Sequence, residues 1–284
     1  MKIFSTSRLA GVLGLLMAVS ISCSDDDEKT PDPVIPNDVQ LKDVAKLGKV
    51  LTDKDGKTLY FFTRDVAGTS ACTGTCLDTW PIFASASTAL KLDAGLKASD
   101  FGTINRADGK PQTTYKGWPL YYYKDDAAAG EAKGEGVGTR WYAAKTGYTV
   151  MLGNAQLVGL DGKSYKPDYT EGTVETQFLV DSLGRTLYAF ARDSSMNNNF
   201  TTNDATHDAT WPIYTAEISD LPSTVDKTLF GSITVFGKKQ LTYKGWPLYY
   251  FGADEMKRGM TKGVSVPRPG VWPIVNKDSP EAPK

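Results

Sequence analysis

The nine residues Thr114–Tyr122 read Thr-Tyr-Lys-Gly-Trp-Pro-Leu-Tyr-Tyr, and the same nine residues return unchanged as Thr242–Tyr250. An earlier stretch, Asp53–Asp65, returns at the same shift of 128 residues as Asp181–Asp193, with eight positions retained. Neither stretch is low in complexity, so an internal duplication accounts for both.

Each half of this duplication contains a second, weaker copy, which becomes visible when four tyrosines are aligned. These tyrosines are Tyr60, Tyr121, Tyr188 and Tyr249. Four residues before them stand Gly56, Gly117, Gly184 and Gly245, and two residues after them stand the aromatic residues Phe62, Tyr123, Phe190 and Phe251. Five residues after them stand Asp65, Asp126, Asp193 and Asp254, and a later tryptophan follows at Trp80, Trp141, Trp211 and Trp272. The pattern predicts four repeat units, two in each half.

One unit has the pattern of a β-hairpin. The aligned glycine suits a turn with positive φ, and the residues around the tyrosine then alternate as in a strand. Tyr60 and Phe62 should share one face, while Leu59 and Phe61 take the other. We therefore expect an all-β protein, built as a pseudo-fourfold repeat of hairpin units with three or four strands each. The units could be arranged like a propeller or as packed sheets.

The motif Tyr-x-(Phe/Trp/Tyr)-x-x-Asp thus occurs four times, and Cys-x-Gly-x-Cys precedes Trp80-Pro81. Over roughly residues 46 to 275, the sequence resembles the bacterial secreted-repeat lipoprotein family. The resemblance implies an extracytoplasmic location and a repeat architecture, and it implies no particular activity.

The start of the chain is typical of an exported protein. Lys2 and Arg8 precede an apolar run over residues 9–21, which is short for a transmembrane helix, and Cys23 follows. Residues 1–22 resemble a bacterial lipoprotein signal peptide, so we expect Cys23 to carry lipid and to make the membrane a partner. Residues 23–45 would then be an acidic, proline-rich tether.

The acidic run after Cys23 bears on location. It resembles the export signal of Bacteroidetes lipoproteins, which implies the outer face of the outer membrane. If the run is only a spacer, the protein would face the periplasm. Without Lys2 and Arg8 the chain keeps 30 cationic residues against 33 acids, so nucleic acid is not an expected partner.

The repeats divide the rest of the chain. We expect a first half at residues 46–152, a connector at 153–172, a second half at 173–276 and a disordered tail at 277–284.

Two cysteines remain after lipidation, and in an exported protein Cys72 and Cys76 should pair as a disulfide that pins the loop before Trp80. A redox-active pair is the alternative. His207, the single histidine, lies with Asp204 and Asp208 in a polar loop that we interpret as an exposed insertion. A metal site there is the sharper alternative.

The repeated acids just beyond each strand should accept backbone N–H groups and fix turns. If the units surround an axis, the four acids could instead converge on a divalent cation. The repeated tryptophans should belong to the core, whereas exposed indoles would favour glycan binding.

No nucleophile with a base, phosphate loop or zinc motif is present in the sequence. The sequence therefore predicts a non-catalytic surface lipoprotein with no predicted cofactor. A redox- or metal-handling accessory protein and a glycan-binding protein are the alternatives.

Overall fold

A computed structural model of the protein describes residues 37–85 and 89–284. The predicted signal peptide and Cys23 lie outside the described residues, as does most of the predicted tether. In the described part of the chain, no helix is both long enough and apolar enough to cross a membrane.

Short strands joined by turns make up the described residues, and helix is scarce. The strands are β1 (Val39–Val44), β2 (Gly48–Asp53), β3 (Tyr60–Phe62), β4 (Phe101–Asn105), β5 (Pro111–Tyr115), β6 (Trp118–Pro119), β7 (Trp141–Ala143), β8 (Val150–Val158), β9 (Ser164–Tyr165), β10 (Glu175–Asp181), β11 (Phe230–Val235), β12 (Lys238–Tyr243) and β13 (Trp246–Pro247). The α-helical turns are α1 (Cys76–Thr79) and α2 (Ala205–Asp208). Turns of 3-10 helix cover Thr63–Ala67, Ala98–Asp100, Val137–Thr139, Lys227–Leu229, Gly252–Asp254 and Lys262–Ser265. The predicted all-β class is confirmed.

The strands form several small antiparallel sheets. Their orders are β1-β2, β3-β7, β4-β5-β6, β10-β8-β9 and β11-β12-β13. The two nine-residue copies make the same hairpin, β5-β6 in the first half and β12-β13 in the second. Gly117 and Gly245 occupy the turns with φ of 76° and 82°, as the aligned glycines predict.

The repeat units are joined in pairs through their tyrosine strands. Tyr60 pairs antiparallel with Tyr121, and Tyr188 pairs in the same way with Tyr249. The segment after each tryptophan then pairs with the tyrosine strand of the other unit, so β3 lies between β7 and Tyr121, and Ile82 pairs with Tyr121. The sheets built on the tyrosine strands thus mix strands of two units, so in the described residues a pair of units, and not a single unit, forms them.

Both faces of the first tyrosine strand are buried. Tyr60 and Phe62 belong to one buried cluster, while Leu59 and Phe61 belong to another. Alternation along a strand sends successive side chains to opposite faces, so covering both faces requires the apolar run that the sequence contains.

Two predicted linkers contain strands. β1 lies inside the expected tether of residues 23–45 and pairs along its whole length with β2. Part of the expected connector lies in β8 and β9, and β8 pairs with β10 over seven residues. Composition and charge suggested the tether, and the limits of the repeats suggested the connector, but these backbone groups find partners in sheets.

The chain end at residues 277–284, expected as a disordered tail, makes several hydrogen bonds with the rest of the second half. The indole Nε1 of Trp246 donates to the carbonyl of Pro280 at 2.8 Å. The N–H of Ala282 donates to the carbonyl of Lys244, and the N–H of Ser195 donates to that of Pro283. These backbone contacts hold a proline-rich segment that has no hydrophobic periodicity of its own.

Candidate functional site

Each buried tyrosine of a repeat unit donates a hydrogen bond to the aspartate of its paired unit. Tyr60 Oη lies 2.5 Å from Asp126 Oδ2, and Tyr121 Oη lies 2.6 Å from Asp65 Oδ2. The second half repeats the exchange, because Tyr188 donates to Asp254 and Tyr249 to Asp193, both at 2.7 Å. All four tyrosines are fully buried. The two most regular positions of the motif are therefore in direct contact, but between units.

The second oxygen of each aspartate accepts a backbone N–H from the following loop. The donors are Ala71, Lys133, Asn199 and Lys262, bonded to Asp65, Asp126, Asp193 and Asp254 respectively. Each carboxylate therefore holds both a loop of its own unit and a phenol of the other unit. Each carboxylate therefore uses both of its oxygens within its own pair of units. The four carboxylates do not converge on a common cation site.

Burial dominates the ionisation of these carboxyl groups. Desolvation raises the pKa of Asp65 to about 7, although hydrogen bonds from Tyr121 and Ala71 oppose the rise. Desolvation likewise raises the pKa of Asp193 and of Asp254 to about 6, and it raises the pKa of Asp126. Burial also raises the pKa of the partner phenols, so the proton lies on the tyrosine oxygen when the carboxylate is ionised.

The tryptophans of paired units stack directly on one another. Trp80 and Trp141 have ring centroids 3.8 Å apart and an interplanar angle of 2°, and Trp211 and Trp272 have 3.6 Å and 6°. The aromatic residue two positions after each tyrosine extends both stacks. The first aromatic column is Phe62, Trp141, Trp80 and Tyr123, and the second is Phe190, Trp272, Trp211 and Phe251.

The buried tyrosines meet these columns edge-on. Tyr60 lies 5.4 Å from Trp80 and Tyr121 lies 5.1 Å from Trp141, both in T-shaped contact. The second column has the same contacts, from Tyr188 to Trp211 at 5.5 Å and from Tyr249 to Trp272 at 5.2 Å. The aromatic residues and aspartates of the repeat motif therefore all lie in one of two matching clusters of aromatic rings and carboxylates.

The two columns differ in the exposure of their last ring. Tyr123 at the end of the first column is half-buried, whereas its equivalent Phe251 is buried. The first column also has Cys72 and Cys76 beside it, joined as a disulfide. The second column has neither a phenol at its end nor a disulfide.

Trp118 and Trp246 occupy equivalent positions in the two halves, but their surroundings differ. The guanidinium of Arg258 lies 4.7 Å from the centre of the Trp118 ring, and its Nε and Nη1 donate to the carbonyls of Val66 and Lys116. Trp118 is completely buried beneath it. Trp246 is half-buried instead and lines a cavity of about 530 Å³. The cavity also contacts Tyr169, Glu175, Gln177, Ile274 and Pro280.

The histidine loop does not form a catalytic relay. His207 Nδ1 lies 3.0 Å from Asp208 Oδ1 and 3.2 Å from Thr202 Oγ1, so one ring nitrogen makes both contacts. A relay requires the two nitrogens to contact different groups. Asp204 accepts the backbone N–H of His207 at the start of α2.

Metal ligation by Asp204, His207 and Asp208 finds no support in the geometry. Within residues 37–85 and 89–284, no group of three or more histidine, cysteine or acidic side chains could hold a metal ion.

Tryptophan exposure bears on glycan capture. Trp80, Trp118, Trp141, Trp211 and Trp272 are all buried. Their faces therefore cannot stack on a sugar at the surface, and Trp246 is the one repeat tryptophan with a partly open face.

Sequence reasoning missed several contacts that join units. Tyr122 donates to Asp53, and the equivalent Tyr250 donates to Asp181. These residues are retained between the halves, which was the available signal. Arg258 offered no such signal, because the first half has Ala129 or Gly130 in that region of the repeat.

A model of the family described as a secreted repeat of unknown function matches residues 43–84, 102–145 and 233–276. It finds three copies where the sequence predicts four, and the fourth unit, around Tyr188, rests on its likeness to Asp53–Asp65 and on its contacts with Asp254 and Tyr249. No curated protein and no solved structure gives a significant match to the chain.

Proposed function

Because this chain belongs to the lipoprotein family of secreted repeats of unknown function, we propose that it is a lipid-anchored, non-catalytic binding module on the cell surface. Cys23 would carry the anchor, and the acidic run after it would direct the protein to the outer face of the outer membrane. The repeat domain would then present its ligand site outside the cell.

The cavity beside Trp246 is the observation that carries the binding proposal. Its volume of about 530 Å³ falls within the usual range of small-molecule sites. Its lining combines the aromatic rings of Trp246 and Tyr169 with aliphatic and proline side chains and a few polar groups. Such a lining suits a ligand with an apolar face and polar edges.

Comparison of the two halves supports the same site. In the first half Arg258 covers the equivalent Trp118 and leaves no opening over its ring. In the second half the segment from Lys277 to Pro280 borders the opening without covering Trp246 completely. The two halves thus differ at this position, because Trp118 is covered and Trp246 is partly accessible. The accessible ring supports a ligand site in the second half.

The absence of catalysis is inferred from the chemistry of the site. The buried carboxylates are occupied by phenols and loop N–H groups, and His207 has no relay geometry. These contacts favour a structural use of the repeated acids.

A thermal-shift screen of the purified chain tests the binding proposal. Polysaccharides, haem and metal ions would be added separately, because a ligand that binds the native state raises the melting temperature. We expect one class to raise it in the parent chain and not in Trp246→Leu. Phe236→Leu, an exposed aromatic outside the cavity, should keep the full shift and is the matched control. A shift that survives in Trp246→Leu would place the ligand elsewhere.

The anchor and its location need a separate test. Cys23→Ala should release the protein from membranes, and added protease should degrade the parent protein on intact cells. Protection from protease on intact cells would place the protein at the periplasmic face.

A further inference from the structure

The two clusters bring together side chains that lose electrons readily and groups that accept protons. Tryptophan and tyrosine are the aromatic side chains most easily oxidised by one electron. An oxidised phenol is strongly acidic, so its radical forms readily when a base lies within hydrogen-bond distance. In the first cluster Asp126 and Asp65 stand at 2.5 and 2.6 Å from the phenols of Tyr60 and Tyr121.

The stacked rings provide contact between these groups. Trp80 lies 3.8 Å from Trp141 and 4.4 Å from Tyr123. Tyr60 and Tyr121 then contact the edges of the two indoles. The electron vacancy left by oxidation can therefore move between rings that are in van der Waals contact. It can move from the half-buried Tyr123 to the completely buried phenols of Tyr60 and Tyr121.

The use of a carboxylate at this place is itself informative. A buried carboxylate is costly because it leaves water, and each of these carboxylates offsets part of that cost by accepting a phenol on one oxygen and a loop N–H on the other. Nevertheless aspartate occupies the position in all four units. A carboxylate can remove the proton of a phenol, and an amide cannot.

We propose that each aromatic column with its two tyrosine–aspartate pairs reacts with one-electron oxidants, such as small radicals formed from peroxides. The column would hold the resulting oxidation as a buried neutral tyrosyl radical.

The step balances in charge and atoms. The oxidant takes one electron from a ring of the column and becomes an anion, and the hole moves to a buried tyrosine. That tyrosine passes its Oη proton to the Oδ2 of its aspartate, which becomes a neutral carboxylic acid. When an external one-electron donor, such as a thiol or a phenol, reduces the radical, the proton returns to the tyrosine oxygen.

Pulse radiolysis of the parent chain, with azide radical as the oxidant, tests the proposal directly. The absorption of the indolyl radical should give way to that of the phenoxyl radical at a rate independent of protein concentration. Replacing Tyr60, Tyr121, Tyr188 and Tyr249 together by Phe should suppress most of this conversion, because Tyr123 is then the one phenol left in the two columns. Replacing four other buried tyrosines, Tyr115, Tyr142, Tyr214 and Tyr243, by Phe should preserve it.

The proton acceptor and the entry point have their own variants. Asp65→Asn with Asp126→Asn should slow the conversion in the first cluster by roughly 100-fold, the lower end of what a positioned base contributes. Tyr123→Phe changes a half-buried ring at the surface, so it should leave the fold intact and slow oxidation of the first column.

The proposal is overturned if the control set of four tyrosines suppresses the conversion as much as the motif set does. It is also overturned if Asp65→Asn with Asp126→Asn leaves the rate unchanged. Should the motif set fail to fold, Tyr123→Phe decides, because an unchanged rate and yield in that variant would exclude the column as the route.

Discussion

The phenol of Tyr60 donates a hydrogen bond to the carboxylate of Asp126, which lies 66 residues later in the paired repeat unit. The reverse bond, from Tyr121 to Asp65, closes the exchange. Each unit therefore lacks a partner for its own tyrosine until the second unit is folded against it. The stable element is a pair of units, since a single unit would leave a buried phenol and a buried carboxylate unpaired.

Removing one of these carboxylates should destabilise the protein more than removing an exposed one. Asp126→Ala leaves the buried Tyr60 hydroxyl without its acceptor and should lower the free energy of unfolding by about 1–3 kcal/mol. Asp161→Ala is the matched control, because Asp161 accepts the hydroxyl of Tyr165 at an exposed position. Urea unfolding of both variants measures the difference. Equal losses would contradict a special role for burial.

Gly134 should tolerate no side chain. A Cβ atom there would lie 2.8 Å from the ring of Tyr60 and 2.9 Å from Trp80. Gly134→Ala should therefore cost about 1–3 kcal/mol through overpacking. Gly109→Ala has open space around its Cβ but a φ of 77°, so it isolates the conformational cost, about 1 kcal/mol. Thermal unfolding in which Gly134→Ala melts no lower than Gly109→Ala would argue against close packing at the cluster.

Arg258 should be needed to hold the halves together. Arg258→Ala removes two hydrogen bonds to backbone carbonyls of the first half and uncovers Trp118. We expect a loss of about 3 kcal/mol in the free energy of unfolding, since the carbonyls lose their donors. Its neighbour Lys257 is exposed and pairs with Glu255, so Lys257→Ala should change stability by less than about 0.5 kcal/mol. Denaturant titration measures both variants. If Arg258→Ala and Lys257→Ala unfold at the same denaturant concentration, Arg258 does not hold the halves together.

Mild acid should stabilise the fold. Burial raises the pKa of Asp65 to about 7 and that of Asp193 to about 6, above the value of about 3.9 for an unfolded aspartate. Between these values the folded state binds more protons than the unfolded chain, so stability rises as the pH falls. This contribution is complete below about pH 4 and is lost as the pH rises through about 6 to 7.

Melting temperatures at about pH 7.5 and about pH 5 check this dependence. We expect an increase of a few degrees on acidification, since about 1 kcal/mol shifts the melting temperature of a domain of this size by about 2–4 °C. Asp65→Asn removes the titrating group with the highest of these values and should reduce the increase. A melting temperature that falls over this range would show that the buried carboxyl groups do not control stability there.

Much of the local structure followed from the sequence. The aligned glycines predicted the turns, because positive φ favours a residue without a side chain. Alternation around Tyr60 predicted that both faces of the strand are buried, because successive side chains of a strand point in opposite directions. Export and the presence of two cysteines besides Cys23 predicted the disulfide between Cys72 and Cys76 that the structure contains.

Linkers were harder to predict than strands. The segments expected as tether, connector and tail carry charges, prolines or irregular patterns, and such composition is typical of exposed chain. Their backbone groups nevertheless bond to β2, to β10 and to residues around Trp246. Backbone hydrogen bonds carry no side-chain signature, so composition alone does not reveal them.

The sequence by itself determined the repeat, the β class and the identity of the residues that matter, because a duplicated pattern of turn, strand and aromatic residues is local and can be compared position by position. Only the tertiary structure decided that Tyr60 bonds to Asp126 rather than to an acid of its own unit, that Trp80 stacks on Trp141, and that Arg258 seals Trp118 while Trp246 stays partly open. These choices depend on which units pack together. Equal spacing within each unit fits several pairings, and the buried hydrogen bonds and ring contacts select one.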